Sequence, residues 1–220
     1  MRDELRGLPQ GWFHHGEQML ALVEQHRPQV TVELGTWRGA SAIALARLVR
    51  TWGGVVYCID TWTGPDAGSR GGTVAGTPTM LLECATNLIT AGVSASVRLI
   101  PARTDAAAAT WVLPIDCLYV DADHTEASVC ADLSLWWPYL RAGGLVAGDD
   151  YDNPMYPGVV AAWDRFEHEQ GQHFDRFLTP NTNPPGMRLI YGVKADRDPA
   201  GSLPPIVKVT RRHDQEEVIA

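Results

Sequence analysis

A chain of 220 residues with 45% apolar and 20% charged side chains has the make-up of a globular domain able to bury its own core. Its formal charge of −8, with no basic block, excludes a phosphate-backbone partner, so no nucleic acid is expected. The four cysteines, Cys58, Cys84, Cys117 and Cys130, show neither C-x-x-C nor zinc spacing, and no apolar run is long enough to span a bilayer. Free thiols, a cytoplasmic location and no membrane insertion are therefore expected.

Met19, Leu22 and Val23 recur at helical spacing and predict a helix over Trp12 to Gln25, within an N-terminal cap of residues 1–28. Val30 to Leu34 predicts a first strand, Ser41 to Val49 a helix, and Val55 to Ile59 a second strand. Thr61 to Thr77 is glycine-rich and aperiodic, a loop suited to act as a mobile lid or a dimer contact. Met80 to Leu88 predicts a helix, Val97 to Ile100 a third strand, and Asp105 to Ala109 a short alanine-rich helix. Ile115 to Val120 predicts strand four, and Glu126 to Leu140 a helix stopped by Gly143-Gly144. Strand five is centred on Leu145 to Ala147, and a helix over Gly158 to Glu169 has Pro157 near its first turn. Phe174 to Leu178 and Met187 to Val193 predict a closing strand pair across the turn Thr179 to Gly186. Residues 195–220 read as a polar tail behind a single domain of residues 1–194.

Strands alternating with helices predict an α/β fold: a Rossmann-like, mostly parallel seven-stranded sheet with helices on both faces and a closing antiparallel strand. In such sheets ligands bind at the carboxyl ends of the strands, which places Gly35, Asp60, Thr104, Asp121 and Asp149 around one crevice.

Two acidic clusters close apolar runs at that edge: Asp121-Ala122-Asp123-His124 and Asp149-Asp150-Tyr151. Asp121, Asp149 and Asp150 crowded together call for a cation, and an all-oxygen set suits a hard ion such as Mg²⁺. Asp123 is expected to be a first-turn helix acid rather than a ligand. Upstream, Glu33-Leu34-Gly35-Thr36-Trp37-Arg38-Gly39 forms a tight strand-to-helix turn of pattern E-x-G-x-x-x-G. Trp37 stands where a dinucleotide fingerprint wants its second glycine, which disfavours an NAD-dependent oxidoreductase.

From about Glu33 to Val193 the chain resembles the class I S-adenosylmethionine-dependent methyltransferases. The resemblance implies that Glu33, Gly35 and Gly39, with Thr36 and Ser41 of the same turn, surround the methionine part of the cofactor. Asp60 would take the ribose hydroxyls and Asp121 would border the cofactor. Trp62 would stack on adenine or cap the sheet edge, and Thr104 would bond the adenine edge or cap a helix. The second half is similar to the metal-dependent sugar O-methyltransferases, relatives of macrolide-glycoside and cephalosporin-modifying enzymes. That branch implies Mg²⁺ held by Asp121, Asp149 and Asp150, with His124 as general base. The acceptor would be a small molecule or oligosaccharide carrying a sugar hydroxyl, the reducing-end hydroxyl of a methylmannose oligosaccharide being the narrowest resemblance. Tyr151 and Asn153 are expected to line the acceptor pocket, His14 and His15 to close over it, and the protein to be a homodimer. Alternatives are a catechol-type O-methyltransferase, disfavoured by His124 and Asp150, and a non-catalytic sensor of the cofactor.

Overall fold

The computed structural model describes residues 2–9, 13–64, 79–170, 173–179 and 188–195. In chain order its elements are α1 (Gly16–His26), β1 (Val30–Leu34), α2 (Ala40–Val49), β2 (Val55–Asp60) and α3 (Met80–Thr90). Then follow β3 (Val97–Pro101), α4 (Thr104–Ala108), β4 (Ile115–Val120), α5 (Glu126–Trp136), β5 (Leu140–Tyr151), α6 (Pro157–Gln170), β6 (Phe174–Leu178) and β7 (Arg188–Lys194). The strands form one sheet in the order β3-β2-β1-β4-β5-β7-β6. β1 to β5 run parallel, while β7 is antiparallel to both β5 and β6. The expected Rossmann-like architecture is therefore the observed one. The strand order reverses between β1 and β4, so a crevice opens between Leu34 and Val120 at the carboxyl edge.

β4 is buried along its whole length because it lies between β1 and β5 with helices on both faces. On one face α1, α2 and α3 bury Met19, Leu20, Ile43, Leu45 and Cys84 against Val56, Cys58, Tyr119 and Leu145. On the other, α5 and α6 bury Leu133, Trp136, Trp163 and Phe166 against Leu34, Ile59, Leu118 and Val146. Strand alternation thus splits the core into two layers. The four cysteines are free, three of them buried. No helix among the described residues is long and apolar enough to cross a membrane.

Two boundaries differ from expectation. The helix predicted to reach Leu140 ends at Trp136, and a 3-10 turn follows over Trp137–Tyr139. Pro138 explains this, since it has no N–H with which to continue the helical ladder. β5 is far longer than Leu145 to Ala147, because it pairs with β4 on one side and β7 on the other. Asp149 and Asp150 therefore belong to the strand rather than to a loop behind it. The Trp12 start of the first helix, the 65–77 part of the glycine-rich loop, most of the 179–186 turn and the tail from residue 196 lie outside the described residues.

Candidate active site

Gly35 leaves β1 with φ +84°, and its N–H donates to the Ile59 carbonyl at 2.9 Å. A Cβ at this position would sit 2.0 Å from the carbonyl oxygen of Asp121, so only glycine lets the turn pass the end of β4. Gly39, φ +86°, is the N-cap of α2 and brings no side chain to its N–H groups, leaving a helix end suited to a ligand. Between the two glycines, Asp60 Oδ2 accepts from the N–H groups of Thr36 at 2.9 Å and Trp37 at 2.8 Å. These bonds hold Trp37 at φ +46°, a conformation that side chains rarely adopt. Beneath the turn, Glu33 is fully buried and accepts from Thr36 Oγ1 at 2.7 Å. Burial pushes its carboxyl up to about 7, against hydrogen bonds from Ser41 and Thr36.

β4 and β5 end side by side, with Val120 opposite Gly148. The register breaks between Gly148 and Tyr151, and Asp150 takes φ +57°. This turn sets Asp150 Oδ2 2.9 Å from His124 Nε2, while Asp121 Oδ1 lies 3.7 Å from the same nitrogen. Ligand atoms of all three residues fall within 4.8 Å of one another. Burial disfavours the imidazolium, but the carboxylates of Asp121 and Asp150 facing it outweigh this and lift His124 to about 10. Burial, with the charge of Asp149 added, raises Asp121 well above the usual carboxylate range although His124 opposes it. Asp150 is held below that range, because hydrogen bonds from His124 and Asn153 overcome its burial.

Asp149 corrects the expectation of three converging carboxylates. The left-handed turn at Asp150 carries its carboxylate to His124, while Asp149 is held by other partners. Asp149 Oδ2 accepts from the Tyr119 hydroxyl at 3.0 Å and Oδ1 from the Asp150 N–H at 2.9 Å. Burial and the nearby Asp150 charge raise its pKa. The residues still fit a divalent cation. Asp121 and Asp150 offer hard oxygen donors drawn onto a single positive charge. Beside the cluster, a cavity of about 10 Å³ with room for one water-sized occupant is lined by Asp121, Asp123, His124 and Asp149 and closed by Val129, Val159 and Trp163; Asp150 does not line it.

A family model described as "Methyltransferase domain" matches residues 32–151, which is more than half of the chain and contains every residue of this cluster. The chain belongs to that family. Its fold is shared by an O-methyltransferase from Bacillus cereus solved with SAH, at 18% identity, TM-score 0.62, and 86% of this chain against 84% of that one. TomG from Streptomyces achromogenes, an O-methyltransferase of tomaymycin synthesis solved with SAM, matches at 19% identity, TM-score 0.63, and 87% against 84%. The SAH-bound methyltransferase PaMTH1 of Podospora anserina matches at 16% identity, TM-score 0.64, and 89% of both chains.

In this methyltransferase domain several expected site residues do other work. Trp62 is 3% exposed, packs in the layer of α2 and α3, and donates its indole N–H to the Trp37 carbonyl at 2.8 Å. Its ring braces the glycine turn from below and is not open for stacking on adenine. Thr104 opens α4, and its hydroxyl bonds the buried Asp132 of α5. Tyr151 is no acceptor-pocket residue: its hydroxyl donates to Asp164 at 3.2 Å and accepts from Arg176 at 3.1 Å, away from His124. Asn153 donates from Nδ2 to Asp150 Oδ1 at 2.7 Å, so it orients a carboxylate rather than lining a pocket. Asp123 accepts from the Thr125 N–H at 2.7 Å and lies two residues ahead of the α5 N-cap rather than in the first turn of the helix. His14 and His15 do reach the acidic edge, acting electrostatically on Asp150 and Asp149 respectively. Sequence reasoning missed Tyr156, whose ring stacks on His124 with centroids 4.2 Å apart, and Tyr119, which anchors Asp149. An aromatic one helical approach away from an acidic pair carries no local signal, so only the fold reveals either.

Proposed function

We propose that this domain transfers the methyl group of S-adenosylmethionine to a hydroxyl of a sugar or glycoside, with a divalent cation, Mg²⁺, at Asp121 and Asp150. The observation that supports it is the seat of His124 between those two carboxylates, at the point where the sheet reverses order and beside the Gly35 turn. The Gly35 turn and the α2 N-terminus at Gly39 would receive the cofactor, with Glu33 and Asp60 bracing the turn through Thr36 and Trp37.

In the present arrangement His124 carries the proton that neutralises Asp121 and Asp150, and an imidazolium cannot act as a base. Asp121 and Asp150 would hold the cation, which when bound would supply that charge instead and acidify a hydroxyl beside it. His124 would then be neutral, with Nε2 facing Asp150 and Asp121 at the place where the acceptor hydroxyl is to be deprotonated. With cofactor and acceptor bound, the hydroxyl would give its proton to His124 as its oxygen takes the methyl from sulfur, so that S-adenosylhomocysteine, a methyl ether and protonated His124 would remain. Tyr156 and Asn153 keep the imidazole and the Asp150 carboxylate in register. Orienting the reactants in this way is worth about 7–11 kcal/mol in well-aligned systems.

The test is methyl transfer from labelled cofactor to a panel of sugars and catechols, with product masses read in EDTA and after adding Mg²⁺. Methylated sugar that disappears in EDTA and returns with Mg²⁺ is expected. Turnover undiminished in chelator would remove the cation, and methylation of catechols alone would remove the sugar.

A further inference from the structure

The pairing of β5 with β7 slips at the acidic edge. Gly148 pairs with Ile190 and Tyr151 with Arg188, so three steps along β5 match two along β7. The extra residue makes a β-bulge that contains Asp149 and Asp150, and bulges re-aim the side chains they carry. This one places left-handed backbone on both sides of Tyr151, with φ +57° at Asp150 and +66° at Asp152. The Asn153 N–H closes the turn by donating to the Asp150 carbonyl at 3.1 Å. Aspartate enters the left-handed region at a cost and persists there only where contacts hold it.

The contacts come from the closing strand pair. Arg188, the first residue of β7, donates from both Nε and Nη2 to Asp152 Oδ2, from Nε at 2.6 Å. The same guanidinium lies over the Tyr151 ring, 5.8 Å from its centroid. Arg176 of β6 stands 5.9 Å from that centroid and donates to the Tyr151 hydroxyl at 3.1 Å, but divides itself with Asp164 and Glu167. Arg188 gives one whole edge to Asp152. We propose that Arg188 is a positioning residue for the reaction: by gripping Asp152 and covering Tyr151 it locks the bulge that carries Asp150 to His124. Its action runs through Asp152 and the turn, not through a reacting atom. The inference rests on the reading above, in which Asp150 helps to hold the cation and His124 takes the proton. A displacement of about 1 Å far from the chemistry is enough to cost about 10²-fold in rate.

The experiment compares wild type with Arg188→Met, Arg188→Lys, Asp152→Asn and the double variant Arg188→Met/Asp152→Asn. Methyl transfer to D-mannose, S-adenosylhomocysteine affinity, Mn²⁺ affinity by electron paramagnetic resonance and melting temperature are measured, with crystal structures of wild type, Arg188→Met and Asp152→Asn. Arg188→Met should lower kcat and weaken Mn²⁺ binding by about 10–100-fold each, the span for a group that orients a metal ligand. S-adenosylhomocysteine affinity should stay within about twofold, because the Gly35 turn is untouched. Asp152→Asn should fall in the same direction while keeping a side chain that tolerates left-handed backbone, so it carries the test even where Arg188→Met folds poorly. The double variant should be no worse than Arg188→Met, since both changes break one contact. Arg188→Lys should recover only part, because an ammonium keeps the charge without the planar edge. In the variant structures Asp150 Oδ2 should lie out of hydrogen-bond reach of His124 Nε2. Unchanged kcat and Mn²⁺ affinity with that distance preserved overturn the proposal. So do additive losses in the double variant, or losses of turnover, S-adenosylhomocysteine affinity and melting temperature that march together. A wild type that binds no Mn²⁺ or leaves mannose unmethylated would sink only the reading of cation or acceptor; the Asp150–His124 separation in the crystal structures then decides Arg188.

Discussion

β4 has one carboxylate just inside its amino end and another just past its carboxyl end, and the two are treated in opposite ways. At the amino end, Asp116 Oδ2 accepts the N–H groups of Gln29 at 2.6 Å and Val30 at 2.9 Å, while Oδ1 faces Arg141 Nε at 2.8 Å. Every lone-pair direction that matters is met by this chain. At the carboxyl end, Asp121 is raised by the charges of Asp149 and Asp150 and opposed by His124. The same residue type at the two ends of one strand is a structural clamp in one place and an unresolved charge in the other. Burial does not separate a working carboxylate from a structural one. What separates them is whether the fold itself supplies the compensating donors and charge.

The widest separation between the two ends should appear in catalysis. His124→Ala is expected to lower kcat by about 10²–10⁴-fold with cofactor affinity intact, the usual span for a general base. A near-normal kcat at saturating acceptor would take His124 out of the chemistry. Asp121→Asn should lose at least about 10²-fold and no longer respond to Mg²⁺, yet melt a few degrees higher in chelator because a buried like charge is gone. Calorimetric scans in EDTA check this, and a lower melting temperature would make Asp121 a clamp like Asp116.

Asp132 sharpens the comparison as a third kind of buried carboxylate, distant from the cluster and 3% exposed. Burial raises it from 3.8 to about 7, against a hydrogen bond from Thr104. Because the folded value lies above the unfolded one, its contribution is fully present below about pH 3.8 and is lost as pH rises through about 7. Urea unfolding of wild type and Asp132→Asn should therefore diverge between pH 4 and pH 8, with the variant the more stable at pH 8 by about 2–4 kcal/mol. Parallel curves would mean that Asp132 is ionised in the native state. The smallest effect belongs to Asp116→Ala, which leaves the Gln29 and Val30 N–H groups unmet. It should lower stability by about 1–3 kcal/mol, with kcat within about threefold of wild type. A large loss of turnover there would erase the distinction between the two ends of β4.

Much of the site was legible before folding was considered. The spacing of Gly35 and Gly39 marked the turn, the apolar runs marked the strands, and His124 three positions after Asp121 marked a local pair. Asp149 and Asp150 were legible as an acidic pair but not as a divergent one. Their directions depend on β5 running on past Gly148 and on the left-handed turn at Asp150, which follow from pairing with β7. For Trp62 the sequence left two readings, stacking on adenine or capping the sheet edge, and the fold decides for packing because φ +52° folds it back under the turn. Thr104 gave no hint of Asp132, because that partner comes from a helix two elements away.

Sequence alone determined what is local in cause: the alternation of strand and helix periods, the turn that only glycines could make, and the kinds of charged group brought to one edge. Tertiary structure decided which of those groups face each other. A side chain's direction at a strand end is set by the neighbouring strand's register and by one or two backbone angles, and neither is encoded within a few residues. The strand order that lays Leu34 beside Val120, and with it the cofactor turn beside His124, therefore exists only in the folded sheet.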